Sequence, residues 1–98
     1  MSRLEAVEEI QLESTRIRNC VRRACEQLGF TDYRNVIVTC KIVNFGDVVW
    51  HIEFFLTSQQ FKALPMPKEK LIIAILNAEE LRPFEEEVLE VDFVVLKD

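Results

Sequence analysis

Residues Arg34 to Thr57, RNVIVTCKIVNFGDVVWHIEFFLT, decide the fold, because two apolar runs alternate there with matching parity. Val36, Val38, Cys40 and Ile42 share one face of a first strand, and Trp50, Ile52, Phe54 and Leu56 share one face of a second. Cross-strand partners lie on the same side of a sheet, so pairing these two sets requires partner numbers that sum to an even value. A two-residue Gly46-Asp47 turn gives an odd sum and sets Lys41 opposite Ile52. A three-residue loop, Asn44-Phe45-Gly46, keeps the faces matched and puts glycine where the common three-residue hairpin needs a left-handed residue. The expected pairs are Ile42 with Val48, Cys40 with Trp50, Val38 with Ile52 and Val36 with Phe54.

Upstream, Leu4 to Leu28 reads as one long helix closed by Gly29-Phe30, the pattern of a glycine cap followed by an apolar residue that folds back. Val7, Ile10, Ser14, Ile17, Val21, Ala24 and Leu28 form a stripe at steps of three and four with one polar interruption. Glutamates crowd its first half and arginines its second, which suits the helix dipole. Such a helix is roughly 37 Å long against about 30 Å for a nine-residue strand, so its start is expected to overhang the sheet. The competing reading is a shorter helix capped by Ser14 or Thr15.

Downstream, Ser58 to Leu64 reads as a short helix capped by Thr57 or Ser58, and Pro65-Met66-Pro67 stops it. Pro67 is expected as the first residue of a helix running from Lys68 to Leu81, with a buried strand over Leu71 to Leu76 as the alternative. Arg82-Pro83 is expected to break that helix. Val88 to Leu96 alternates as a third strand. The order α-β-β-(short α)-α-β gives an α+β two-layer sandwich, one domain over residues 1–98, with a three-stranded, mostly antiparallel sheet and both main helices on one face. This order resembles that of BolA-like and type II KH-like domains. The basic, glycine-bearing loop of the KH type and the arginine-histidine segment of the BolA type are absent, so the resemblance is one of topology and implies no function.

The formal charge of −5 disfavours passive attraction to nucleic acid or anionic membrane. Three cysteines, Cys20, Cys25 and Cys40, fit neither a disulfide framework nor a zinc pattern and read as small core residues in a reducing compartment. No leader pattern or bilayer-length apolar run is read, and a cytoplasmic location is expected. His51 is the single histidine and shares a strand face with Glu53, Lys41 and Thr39. Without a second histidine, a nucleophile at matching spacing or a glycine-rich phosphate loop, neither catalysis nor a metal or cofactor is expected. Seven acids between Glu79 and Asp92, namely Glu79, Glu80, Glu85, Glu86, Glu87, Glu90 and Asp92, read as a solubilising edge.

The face of the hairpin opposite the helices carries Ile37, Val43, Val49 and Phe55, joined by Val94 and Leu96 if the last strand turns its Leu89 row to the core. An uncovered apolar face marks association. The expected function is therefore that of a protein-binding regulator, inhibitor or scaffold subunit, self-associating as a homodimer. Its contacts are expected at Ile37, Val43, Val49, His51 and Phe55, with Leu4, Val7 and Ile10 on the overhang. The second reading is nucleic-acid binding through Arg16, Arg18, Arg22 and Arg23, with Tyr33 or Trp50 available for stacking.

Overall fold

In the computed structural model, which describes residues 3–97 apart from Phe45 and side chains from Val7 onward, the hairpin has the expected register. Strand β1 (Asn35–Val43) pairs antiparallel with β2 (Asp47–Thr57), with Ile42 opposite Val48, Cys40 opposite Trp50, Val38 opposite Ile52 and Val36 opposite Phe54. The loop between them has three residues, and Gly46 sits at φ +98°, a conformation that glycine adopts without strain.

Helix α1 (Arg3–Gln27) is continuous, so Ser14 and Thr15 lie inside it and cap nothing. Its end is the expected glycine cap. Gly29 takes φ +75°, Phe30 N–H donates to the Cys25 carbonyl at 2.8 Å and Gly29 N–H to the Glu26 carbonyl at 3.2 Å, the paired bonds of a Schellman motif. The fold-back carries Phe30 into an aromatic cluster with Tyr33, Phe54 and Phe93, ring centroids 5.0 to 5.9 Å apart. Ser14, the polar interruption in the stripe, donates its hydroxyl to the Val38 carbonyl at 2.7 Å and ties the helix to an edge strand.

Helix α2 (Ser58–Lys62) begins in a capping box. Gln60 N–H donates to the Thr57 hydroxyl at 3.2 Å, and the Gln60 side chain accepts from Thr57 N–H at 2.9 Å. Helix α3 starts at Lys68, which favours helix over a buried strand across 71–76, but it ends at Leu76, short of the expected Leu81. Pro67 is its N-cap rather than its first residue, its carbonyl accepting from Leu71 N–H at 2.9 Å. After Asn77 the chain turns extended at Ala78 and re-forms as a 3-10 helix, Glu79–Phe84, with Pro83 inside it. The interruption has a packing cause. Leu71 and Ile75 point α3 at the core, and resetting the helical phase lets Leu81 and Phe84, three apart, point there as well.

Strand β3 (Val88–Leu96) corrects the mostly antiparallel expectation. The sheet order is β1-β2-β3, and β3 runs parallel to β2 from Val49 opposite Val88 to Thr57 opposite Leu96. The reason is the connection. β2 ends far from the hairpin tip, and α2, α3 and the 3-10 helix carry the chain back along the sheet before β3 starts, a crossover that delivers a parallel strand. The sheet is therefore mixed, and its helices lie on one face. The core is built on that face from Val36, Val38, Trp50, Ile52, Phe54, Leu56 and Val91 of the sheet with Ile17, Val21, Cys25, Leu71, Ile75, Leu81 and Phe84 of the helical layer.

Candidate interaction surfaces

Two surfaces emerge where the layers fail to cover each other. The first lies between the start of α1 and the hairpin tip. Among the described side chains, Ile17 is the first fully buried one of α1, whereas Val7 and Ile10 on the same stripe are 48% and 41% exposed. Facing them, Ile42 and Val48 on the helix-covered side of the hairpin are 73% and 37% exposed. Measured from the Ser14–Val38 hydrogen bond, the start of α1 and the end of β1 both lie roughly 16 Å away, so the helix does not run past the hairpin tip but stands off it. An open groove of about 540 Å³ results, lined among others by Ile10, Ser14, Val38, Cys40 and Ile42. Ile42 and Val48 lie on the face parity predicts, but at a place where the helical layer does not close over them.

The second surface is the open face of the sheet. The parallel register of β3 lays Val88, Glu90, Asp92, Val94 and Leu96 beside Val49, His51, Glu53, Phe55 and Thr57. Ile37 and Val43 are each 39% exposed there, Leu96 38% and Val88 56%, and Phe55 is half-buried. Val49 and His51, expected as contact residues, are buried at 8% and 7% exposure within this face, because β2 is the central strand and side chains of both neighbours flank them. Among the other expected contact residues, Val7 and Ile10 line the first surface, and the side chain of Leu4 lies outside those described.

A polar band divides the open face. His51 Nε2 lies 3.0 Å from Asp92 Oδ2 and 3.9 Å from Glu53 Oε2, and its Nδ1 lies 3.5 Å from Glu90 Oε2. Glu90 and Asp92 thus belong to this group and not only to a solubilising edge. The signal that joins them to His51 was available in the alternation of β3: once Leu89, Val91 and Phe93 face the core, Glu90 and Asp92 must share the side of His51. What periodicity could not provide was the strand neighbour and register that set Glu90 directly beside it. The remaining acids separate from this group. Glu79 pairs with Arg82 at 2.9 Å on the 3-10 helix, and a Glu80 carboxylate oxygen is buried without a hydrogen-bond partner.

The four candidate arginines of α1, Arg16, Arg18, Arg22 and Arg23, are all exposed, and three of them also touch neighbours within the chain. Arg16 pairs with Glu13 at 3.6 Å and lies 5.8 Å over the Phe84 ring, Arg23 contacts Cys20 Sγ at 3.2 Å, and Arg22 hydrogen-bonds Tyr33. Tyr33 itself titrates above its ordinary range, chiefly because burial disfavours the phenolate. The cysteines are free; Cys20 and Cys25 are buried and Cys40 is half-buried. Burial, helped by Glu26, pushes the Cys25 thiol up to about 12, which makes it inert rather than nucleophilic. Among the described residues no cluster of His, Cys, Asp and Glu is arranged to hold a metal ion, and no helix is long and apolar enough to cross a membrane. Comparison with protein-family models, with curated proteins and with solved structures returns no match.

Proposed function

We propose that the chain is a non-enzymatic protein-interaction module that self-associates through the groove between α1 and the hairpin tip, and in that form regulates or scaffolds other proteins. The observation that carries this reading is the pair of unmatched apolar surfaces at one end of the molecule. The stripe at the start of α1 and the apolar tip of the hairpin face each other across an open groove without meeting, and both remain exposed. Two copies related by a two-fold axis supply each other with what is missing, stripe on tip and tip on stripe, as an isologous interface requires.

The area is of the right size. Val7, Ile10, Ile42 and Val48 together expose on the order of 350 Å² of apolar surface, close to the roughly 450 Å² non-polar share of a standard interface that buries about 800 Å² per partner. The open sheet face is less suited to apolar self-association, because the band around His51 would set like charges of two copies against each other. Nucleic-acid binding through Arg16, Arg18, Arg22 and Arg23 is the less favoured reading, because the chain's charge of −5 opposes a phosphate backbone.

Sedimentation equilibrium from 1 to 200 µM tests the proposal. Wild type is expected to pass from monomer to dimer, and Ile10→Glu with Ile42→Glu, two exposed positions, to stay monomeric with unchanged circular dichroism. A wild type that remains monomeric at 200 µM, or a double variant that dimerises as well as wild type, refutes it.

A further inference from the structure

We propose that the open face of the sheet docks a basic segment of a different protein, whose arginine side chain enters the carboxylate ring around His51. This goes beyond self-association, since it uses the opposite face of the sheet and a different occupant, and both surfaces can be filled at once.

The argument begins with an imbalance of charge. Glu53, Glu90 and Asp92 crowd one imidazole, which even when protonated neutralises only one of the three carboxylates. Among the described residues, no lysine or arginine is ion-paired with any of them. The side chains of Glu53, Glu90 and Asp92 are 32%, 58% and 62% exposed, so an external cation can reach all three.

Hydrogen bonding shows the same deficit of donors. The His51 side chain is only 9% exposed, and its Nδ1 is buried without a hydrogen-bond partner. When Nε2–H donates to Asp92, a neutral ring turns a bare acceptor at Nδ1 toward the Glu90 carboxylate, another acceptor. A charged ring turns a donor there that is still 3.5 Å from its partner. A guanidinium brings five N–H donors in a planar fork, and when the exposed Glu90 side chain swings aside it can donate to the bare Nδ1 of the neutral ring and to the carboxylates together. The carboxylates surround the ring rather than meeting at a point, an arrangement that suits a broad organic cation better than a metal ion.

The flanks define the rest of the segment. Along the strands the acidic band gives way to Val88 at one end and to Phe55, Val94 and Leu96 at the other. From Val49 to Phe55 is roughly 20 Å of strand, the length of about six extended residues. An apolar–arginine–apolar pattern matches that sequence of surfaces. A second copy of this chain is a poor occupant, because its charge of −5 opposes approach to an acidic face, whereas a basic partner is steered toward it.

The test uses the whole chain and the probe acetyl-Val-Arg-Val-amide, with acetyl-Val-citrulline-Val-amide as its neutral isostere. Because His51 is the sole histidine, its ring signals in a proton–carbon NMR spectrum report the site directly. The arginine peptide is expected to shift them saturably below 10 mM, with the citrulline peptide at least tenfold weaker. Glu90→Gln with Asp92→Asn, both exposed, is expected to weaken the arginine peptide at least tenfold, while Glu86→Gln with Glu87→Gln leaves it unchanged. Equal binding of the two peptides, full binding to the Glu90/Asp92 variant, or no shift at 10 mM overturns the proposal, as does a saturable response to zinc chloride with none to the peptide. Dimerisation is read separately by sedimentation, so failure here leaves the self-association result untouched.

Discussion

Phe54 and Phe55 are consecutive in β2 and point to opposite faces, so truncating each in turn tests the assignment of the two sides. Phe54 is fully buried, with Phe30 at 5.2 Å, Tyr33 at 5.2 Å and a stacked Phe93 at 5.3 Å between ring centroids. Phe54→Ala removes the transfer term of a buried ring, leaves a cavity that three aromatic neighbours cannot fill, and is expected to cost about 3–5 kcal/mol. Phe55 is half-buried on the open face, and Phe55→Ala is expected to cost about 1 kcal/mol. For a domain of this size about 1 kcal/mol lowers Tm by roughly 4–8 °C, so the first variant should melt at least about 12 °C below wild type and the second within about 8 °C of it. Thermal and urea unfolding followed by circular dichroism at 5 µM measures both. Equal losses for the two variants would refute the face assignment, and with it the placement of His51, Glu90 and Asp92 on an uncovered surface.

Further predictions concern local features. Thr57→Ala removes the capping box of α2 and should cost about 1 kcal/mol in urea unfolding. Gly46→Val forces a β-branched side chain to φ +98° and should cost at least about 1–2 kcal/mol, with the loss of stability read in the same assay. The Cys25 thiol is raised on folding from about 9 to about 12, so its contribution to stability is complete below pH 9 and falls by about 1.4 kcal/mol per pH unit as the pH rises from 9 toward 12. Between pH 8.5 and 10.5 wild type should therefore lose more stability than Cys25→Ala. A thiol reagent at pH 8 should modify the half-buried Cys40 before Cys25, by mass spectrometry of peptides.

Much of this fold is legible in the residues because it rests on local rules. The hairpin register follows from the parity of two apolar runs and one glycine, and the Schellman cap of α1 follows from Gly29-Phe30. Each depends on residues close in sequence, whose geometry is constrained by backbone sterics and periodicity. Three features needed the assembled chain. The parallel entry of β3 depends on where a crossover leaves the chain, which periodicity does not encode. The end of α3 at Leu76 depends on the core favouring Leu81 and Phe84 over a continuous helix. The acidic ring of His51 depends on both the partner and the register of β3, which bring residues about forty apart in sequence within hydrogen-bonding range. The sequence by itself determined which face of each element is apolar, because alternation is a property of one strand or one helix. Only the tertiary structure decided which of those faces are covered: packing joins surfaces distant along the chain, and among the described residues it left a helix stripe, a hairpin tip and one side of the sheet without a partner.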